Sequence, residues 1–474
     1  MATKHHGMMP FKGLEHLCTV NPFRPGRFAR LFPHLPPLYI NPQILQEVGK
    51  PGGKMEDKGA PNLTKKTAAG LIFFGQFVDH DITLDDSSSL SASNDPLSTE
   101  NVRTPTLDLD CVYGDGPEAH PYLYDAAGKL LTGADFDYKP SVIPNWQNQH
   151  DLPRTPKGTA IIGDPRNDEN RIISQMQLGF LRFHNKVIDF GKPFEEARRI
   201  VRWHYQWIVV NELLRTICGS WIVDDIFANG RKIYRPECMD TNEPFIPIEF
   251  ATAAYRFGHT MIPQQVRVKV GGPPHIILDP NSVLGKGFEP VTDTDAVVEW
   301  AALLDSGNGQ YDRAGEVDVK LAKALLALSF NPPGPTSLAV RNLLRAQSFL
   351  IPSGEQVAQA MIAAGASEIT LEMIEAVRNA GKALGFDKAT PLWVYVLAEG
   401  KAVGQMNEGA QGQKTFFKGE GLGPVGARFV AEVIIGLLEL DTRSFLGSNR
   451  NWSPLDADKI GVNGVTSLYQ LLTV

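Results

Sequence analysis

Helix-period hydrophobic patterns dominate this chain of 474 residues and limit its folds more than any other feature. Apolar residues recur at helical spacing over long segments, whereas the alternation typical of a strand is clear only in "QQVRVKV" (264–270). The helix-period segments are 64–79, 169–190, 194–218, 246–262, 294–306, 316–328, 336–348, 354–364, 369–384 and 422–439. These patterns predict a mostly α protein with long loops and little β-structure.

The domain organisation follows from where proline, glycine and turn residues concentrate. Residues 20–62 carry "LFPHLPPL" and "KPGGK", which predict an extended stretch. The length alone allows one large domain or two fused domains. Neither an internal repeat nor a clear linker divides the rest, and the polar stretch 85–98 is predicted to be a loop. We therefore expect an extended N-terminal arm over 1–62, packed on one large domain over 63–474.

Charge and cysteine content exclude several classes of protein. The formal charge is -7 and no dense Lys/Arg run occurs, which argues against nucleic-acid binding. The four scattered cysteines form no CxxC pair, so neither a disulfide framework nor a zinc site is indicated. No stretch is long enough to span a membrane, and the first residues lack the apolar core of a signal peptide. A cytoplasmic location is expected, with signal-independent secretion left open.

The stretch "GQFVDHD" (75–81) places polar side chains directly after the apolar run "GLIFF". On a helix Gln76 and His80 share one face with Asp79 beside them, while Asp81 lies about 100° further round. Buried polar groups cost free energy unless each finds a partner. The stretch is therefore either a helix end at which the histidine has hydrogen-bond partners or part of a ligand site.

Two further stretches combine ionisable residues with helical patterns. In "GDPRNDEN" (163–170), Arg166 and Glu169 are three residues apart at a helix entry. They form a capping turn, an ion pair, or a contact with a partner elsewhere. In "AAYRFGHTMIP" (253–263), His259 sits in an apolar stretch, as a core histidine or a haem-iron ligand would.

A fourth stretch, "TPTLDLDCVYG" (104–114), presents oxygen atoms at every second residue. Thr104, Thr106, Asp108 and Asp110 offer two hydroxyls and two carboxylates. Calcium takes about six to eight oxygen ligands, of which this loop can supply several. A solvated acidic turn is the alternative.

Taken together in their order along the chain, the four stretches resemble the animal-type haem peroxidases of the peroxidase–cyclooxygenase superfamily. The resemblance is to a bacterial member of that family. The matching motifs lie between about residues 64 and 348, and "LGPVGARFVAEVIIGLL" (422–438) is also similar. The resemblance implies a single helical haem-peroxidase domain that binds haem b.

The resemblance also implies roles for the residues on the distal side of the haem. His80 matches the distal histidine, Gln76 the distal glutamine and Arg166 the distal arginine, and these three are the expected catalytic residues. Asp79 and Glu169 match the two carboxylates that can form ester links to haem. Asn170 stands where members with a third, sulfonium link carry methionine, so no such link is expected.

On the proximal side, the resemblance makes His259 the iron ligand and Asn342 the acceptor of a hydrogen bond from its imidazole. Arg345 and Arg256 would lie near the haem propionates. "AQSFLIPSGEQV" (346–357) departs from the family's R-x-R-D-H-G pattern, which affects details of substrate access.

A calcium ion is implied next to the distal histidine. Its ligands would be Asp81, Thr104, Thr106, Asp108 and Asp110.

The expected activity is that of a peroxidase, which reduces hydrogen peroxide and oxidises small organic donors or halides in the response to oxidative stress. An imidazole such as His80 can move a proton between the two peroxide oxygens. One alternative is a fatty-acid dioxygenase of the same superfamily, which uses a tyrosine three residues before the proximal histidine. Arg256 stands there, and Tyr255 is expected to point away from a substrate channel. The other alternative, a non-catalytic haem- or calcium-binding protein, would need neither His80 nor Arg166.

Overall fold

The computed structural model of the protein describes residues 28–59, 62–85, 87–138, 142–236, 243–285, 287–329, 334–408, 412–455, 462 and 464–474. Helices dominate this part of the chain, which confirms the predicted mostly α fold. The α-helices are Pro42–Gly49, Ala69–Ile82, Asp110–Tyr113, Arg171–Asp189, Phe194–Ile208, Arg215–Cys218, Ser220–Asn229, Ile248–Thr252, Gly258–Met261, Leu338–Ser348, Gly354–Ala363, Leu371–Leu384, Leu392–Ala402, Pro424–Leu440, Phe445–Ser448 and Leu468–Leu472.

The strands form three separate antiparallel pairs and no larger sheet among the described residues. The pairs are Leu63–Ala68 with Arg313–Gly315, Gln265–Arg267 with Pro274–Ile276, and Gln405–Glu408 with Lys414–Phe417.

Two helices rich in apolar residues lie in the core. Pro424–Leu440 and Leu392–Ala402 are buried over nearly their whole lengths and pack against each other. A helix that is apolar all round has to be buried in this way. Closer to the site, Ala69–Ile82 packs against both Arg171–Asp189 and Gly258–Met261. This packing brings the first three motifs together.

Several segments with a helical pattern are not α-helices. Residues 63–68 pair as a strand with Arg313–Gly315, so the helix begins only at Ala69. The segments 294–306 and 316–328 contain short 3-10 turns but no α-helix. In the second segment, the amide of Val317 donates to the carbonyl of Gly419 over 2.8 Å. A backbone group used in a long-range hydrogen bond is not available for a helical one.

Among the described residues, six α-helices lie outside the predicted helical segments: Pro42–Gly49, Asp110–Tyr113, Ser220–Asn229, Leu392–Ala402, Phe445–Ser448 and Leu468–Leu472. The predicted helix 246–262 is divided into Ile248–Thr252, a 3-10 turn and Gly258–Met261. The predicted helix 194–218 is continuous, but Val209–Leu214 is wound as a π-helix. Leu213 of this π-helical segment reaches the cavity described below.

The described part of the N-terminal arm lies against the helical domain. The amide of Ala29 donates to the carbonyl of Ile246 over 3.3 Å, and that of Leu31 to Glu249 Oε2 over 3.0 Å. The arm includes the helix Pro42–Gly49, where an extended conformation was predicted. Residues 1–27, 60 and 61 of the arm lie outside the described residues. Within the described ranges, no helix is long and apolar enough to cross a membrane.

Candidate active site

A cavity of about 270 Å³ joins three of the four motifs. Its wall is mostly apolar and includes Leu71, Phe73, Leu213, Ile262 and Leu338. The ionisable or amide side chains that line it are Gln76, Asp79, Glu169, Asn170, Tyr255, Arg256 and His259. The cavity is therefore an apolar space with a few polar groups, as is typical of a small-molecule or cofactor site.

Gln76, Asp79 and Glu169 form one polar part of the cavity wall. Gln76 donates a hydrogen bond from Nε2 to Glu169 Oε1, and Asn170 Nδ2 lies 3.4 Å from Gln76 Oε1. Thr83 Oγ1 donates to Asp79 Oδ1 over 2.9 Å. Burial raises the pKa of Glu169 to about 7 and also raises the pKa of Asp79. Both carboxyl groups therefore ionise less readily than they would in water.

His80 lies behind this wall and is not among the residues that line the cavity. The side chain is buried, and its Nδ1 is 2.7 Å from Asn167 Oδ1. Its Nε2 is 3.9 Å from Glu169 Oε1. Burial, helped by the charge of Arg166, lowers the pKa of His80 to about 3. The imidazole is consequently neutral at neutral pH.

Arg166 does not reach the cavity wall. Its Nη2 donates to the carbonyls of His80 and Thr83 over 3.0 and 2.7 Å, and to Asp164 Oδ2 over 2.8 Å. The last carbonyls of a helix have no intrahelical partner. The guanidinium thus binds the end of the helix Ala69–Ile82.

His259 lines the cavity and is paired with Asn342, as the resemblance implied. Its Nδ1 is 2.8 Å from Asn342 Nδ2, and Asn342 Oδ1 accepts from Arg256 Nη1 over 2.8 Å. A guanidinium can only donate, so the amide oxygen faces Arg256 and the amide nitrogen faces the imidazole. The direction of this hydrogen bond is therefore opposite to the predicted one. Burial, followed by the charge of Arg256, lowers the pKa of His259 to about 3.

Arg345 forms an ion pair with Asp85, with 3.3 Å between Nη1 and Oδ2. The side chain is not among those lining the cavity. The structure thus brings Arg256, but not Arg345, to the cavity wall.

Three carboxylates meet on the far side of the helix Ala69–Ile82. Asp81, Asp108 and Asp110 each place an oxygen within 4.8 Å of the others. Neither oxygen of Asp81 accepts a hydrogen bond of normal geometry, although Tyr205 and the amide of Leu109 lie close. Burial, followed by the neighbouring acids, raises the pKa of Asp81 well above its ordinary value.

The acidic cluster is completed by the two predicted threonines and is flanked by two arginines. Burial, followed by the charge of Asp108, raises the pKa of Asp110 to about 7. The buried hydroxyl of Thr106 has no hydrogen-bond partner in the described chain. Thr104 Oγ1 donates to Asp108 Oδ1 over 3.0 Å. Arg103 and Arg443 balance part of the charge, at 3.3 Å from Asp110 and 3.4 Å from Asp108.

Tyr255 lines the cavity, so the expectation that its side chain points away is wrong. Residues Ala254–Phe257 form a 3-10 turn, to which the α-helical angle between neighbours does not apply. The phenol ring stacks on Phe250 at 4.7 Å, and its hydroxyl donates to the carbonyl of Gly75 over 3.2 Å.

Two residues near His80 were not predicted from the sequence. Asn167 contacts His80 directly, and Gln177 contacts Asn167. Asn167 lies inside the motif "GDPRNDEN", but nothing in a single sequence shows which side chain of a turn faces inwards.

The fold and the site together define a class of helical proteins. In this class one helix carries Gln76, Asp79 and His80 next to a cavity, and His259, far away in the sequence, lines the same cavity. Residues 88–276 match the model of the animal haem peroxidase family. This part of the chain is therefore similar to an animal haem peroxidase domain. Haem is the cofactor that the family implies.

The curated relatives are similar over part of their lengths. A peroxidase-like protein from Margaritifera margaritifera is 28% identical over 193 residues, covering 38% of this chain and 24% of the relative. Thyroid peroxidase from Mus musculus is 27% identical over 198 residues, covering 38% and 21%. The chain thus spans under a quarter of the length of these relatives.

Solved structures match nearly the whole chain. Peroxidase A from Dictyostelium discoideum has a TM-score of 0.60 at 15% identity, covering 96% of this chain and 93% of its own. A fatty acid alpha-dioxygenase from Arabidopsis thaliana has a TM-score of 0.59 at 14% identity, covering 95% and 78%. At these identities the likeness establishes the shared fold.

Proposed function

We propose that the protein is a haem-dependent peroxidase that reduces hydrogen peroxide and oxidises a small organic donor or a halide. One observation carries the proposal. Gln76, Asp79 and Glu169 line the same cavity as His259, although the three segments that carry these residues lie far apart in the sequence. A cavity with an imidazole, two carboxyl groups and apolar walls suits a haem and a small oxidant.

The residues present fit haem. Because Nδ1 of His259 lies 2.8 Å from the Asn342 amide, Nε2 is the ring nitrogen left for iron. A neutral imidazole that binds iron through Nε2 carries its proton on Nδ1, so with haem bound the Asn342 amide would turn its oxygen to His259, as the resemblance implies. The apolar side chains suit a porphyrin. The carboxyl groups of Asp79 and Glu169 line the same cavity, and this position supports the proposal that they would form ester links to haem. Bound haem would supply the iron at which the peroxide bond is broken.

His80 would move the proton that this reaction requires. Burial keeps the imidazole neutral, and in this form it can accept the peroxide proton and return it to the departing oxygen. Such acid–base help contributes about 10²–10⁴ in rate. Gln76 and Glu169 line the cavity, and Glu169 Oε1 lies 3.9 Å from His80 Nε2, so these two side chains can orient the peroxide. Arg166 would act through its charge and by holding the end of the helix that carries His80.

Calcium would bind the acidic cluster. Neither buried oxygen of Asp81 accepts a hydrogen bond of normal geometry, and in its ionised form such a group needs a compensating cation. Three carboxylates with one or two threonine oxygens match the ligands that calcium prefers. The ligands would be Asp81, Thr104, Thr106, Asp108 and Asp110.

Peroxide-dependent oxidation of a phenolic dye and of iodide tests the proposal. The wild-type holoprotein should oxidise at least one of them, and His80→Ala should lose at least about 10² in kcat/KM. Arg166→Leu should lose about tenfold, because its charge acts from outside the cavity. Glu375→Gln, on an exposed helical position, serves as the matched control. A His80→Ala variant as active as wild type would contradict the assigned role.

A fatty-acid dioxygenase is the second candidate, because Tyr255 lines the cavity and two fatty acid alpha-dioxygenases share the fold. An oxygen electrode with palmitic acid separates the candidates. The peroxidase proposal predicts no rapid uptake of oxygen. Rapid uptake that disappears in Tyr255→Phe would establish the dioxygenase instead. The cytoplasmic location and the role in oxidative stress stay predictions.

A further inference from the structure

Three buried side chains form a continuous hydrogen-bonded chain that begins at His80. Its Nδ1 lies 2.7 Å from Asn167 Oδ1, and Asn167 Nδ2 donates to Gln177 Oε1 over 2.9 Å. Asn167 and Gln177 are both 0% exposed, so water does not compete for these contacts. An amide held between two partners accepts at one end and donates at the other. The chain of contacts therefore has a direction.

We propose that Asn167 and Gln177 are positioning residues that hold His80 with its proton on Nδ1 and with Nε2 free towards Glu169 and the cavity. Gln177 accepts from the amide nitrogen of Asn167, which turns the amide oxygen towards His80. That oxygen accepts only from a protonated Nδ1. The inference rests on the proposed function, in which Nε2 of His80 receives the peroxide proton.

The backbone around Asn167 is anchored on both sides. Asn167 lies in the 3-10 turn Pro165–Asp168, whose first residues are capped by Asp164. On the other side, Asp168 accepts two hydrogen bonds of 2.7 Å from the buried Arg154. Gln177 is on the helix Arg171–Asp189. These contacts anchor the backbone on both sides of the side chain that contacts His80.

Two conservative substitutions separate this direction from its reverse. In the reverse arrangement Gln177 donates to Asn167, whose nitrogen then faces an unprotonated Nδ1. Gln177→Glu keeps an acceptor for Asn167 but removes the donor that the reverse requires. Asn167→Asp likewise keeps an acceptor for His80. Gln177→Leu and Asn167→Leu remove the contacts at similar volume.

The experiment measures how fast cyanide binds to the ferric holoprotein, which reports proton acceptance without turnover. Hydrogen cyanide must pass its proton to a base as it binds, whereas carbon monoxide binds the ferrous protein without a proton. We expect cyanide binding to be about 30- to 100-fold slower in Asn167→Leu and about fivefold slower in Gln177→Leu. Gln177→Glu and Asn167→Asp should restore the rate to within about threefold of wild type. Carbon monoxide binding should be unchanged in every variant, which also shows that the cavity is intact.

The outcomes separate the inference from the proposed function. If Gln177→Glu is as slow as Gln177→Leu, the direction is reversed and the inference is wrong. If His80→Ala slows cyanide binding but Asn167→Leu and Gln177→Leu do not, His80 is the base without this support. If His80→Ala binds cyanide at the wild-type rate, the proposed role of His80 fails, and the inference fails with it. If Asn167→Leu alters carbon monoxide binding, its cyanide rate no longer reports on His80 alone. The inference is then tested by the cyanide rates of Gln177→Leu and Gln177→Glu, because Gln177 lies further from the cavity.

Discussion

At the scale of single residues, burial moves the ionisable groups around the cavity towards their neutral forms. The pKa of His80 and that of His259 fall to about 3, while the pKa of Glu169 rises to about 7. Desolvation is the largest cause in each case, because a charge is costly where water is excluded. Neutral imidazoles are the forms that accept a proton and that bind a metal. Burial in and beside the cavity therefore keeps both imidazoles neutral.

His259→Ala should greatly weaken haem binding, because it removes the proposed bond between the protein and the iron. Haem content per chain, measured after purification with added haem, should fall to a small fraction of that of wild type. His275→Ala, on a strand outside the cavity wall, is the control. Full haem content with an unchanged resting spectrum in His259→Ala would show that another residue binds the iron.

Haem should become at least partly covalent after turnover with peroxide, through Asp79 and Glu169. Both carboxyl groups line the cavity, and burial raises the pKa of each. Acidified organic solvent should fail to extract haem from the treated wild type and should succeed with Asp79→Val plus Glu169→Gln. Complete extraction from the treated wild type would exclude stable esters.

At the scale of elements, the helix Ala69–Ile82 connects the cavity with the acidic cluster. Gln76 and Asp79 line the cavity, whereas Asp81 turns to the loop that carries Asp108 and Asp110. Arg166 binds the carbonyls at the end of the same helix. A cation in the acidic cluster would therefore fix the helix relative to the loop, and with it the position of His80.

Calcium should raise the thermal unfolding temperature more at about pH 8 than at about pH 5. The pKa of Asp110 rises from its ordinary 3.8 to about 7 in the folded protein. Without metal, the folded state holds this proton over that range while the unfolded chain releases it, so stability falls as the pH rises. Bound calcium stabilises the ionised carboxylates of the folded protein. Its effect on the unfolding temperature is therefore larger at the pH at which these carboxylates are ionised.

The measurement compares unfolding temperatures with calcium and with a chelator at both pH values. Asp81→Asn should remove most of the calcium effect, and Glu375→Gln should keep it. Metal analysis that finds no calcium in active wild-type protein would count against the site.

At the scale of the whole molecule, a buried ionic network ties the core helix Pro424–Leu440 to distant segments. Arg428 is fully buried and binds Glu368, Glu432 and Asp225. Glu432 also accepts hydrogen bonds from the amides of residues 232–234. Removing one member of such a network leaves uncompensated buried charge.

Arg428→Met should destabilise the fold by about 3–5 kcal/mol, seen as a lower unfolding temperature. Arg267→Met provides the matched control, because Arg267 pairs with Asp312 at the surface and such pairs contribute about 1 kcal/mol or less. Equal shifts in the two variants would show that the buried network contributes no more than a surface pair.

Much of the fold and part of the site could be predicted because their signals are local. The helical periodicity of 369–384 and 422–439 reappears as Leu371–Leu384 and Pro424–Leu440. The spacing within "GQFVDHD" already separates the face of Gln76 and His80 from Asp81. The regular rise and turn of a helix make such relations independent of the rest of the chain.

Other features depend on contacts between segments far apart in the sequence, and only the tertiary structure decided them. Residues 63–68 form a strand because Arg313–Gly315 lies beside them. Arg166 binds carbonyls rather than facing the cavity, because Asp164 and the end of Ala69–Ile82 surround its guanidinium. The sequence by itself therefore determined the helical class, the motifs and the family resemblance, all of which follow from residue type and spacing. The tertiary structure decided which of those side chains face the cavity, because hydrogen-bond partners and burial depend on segments that only folding brings together.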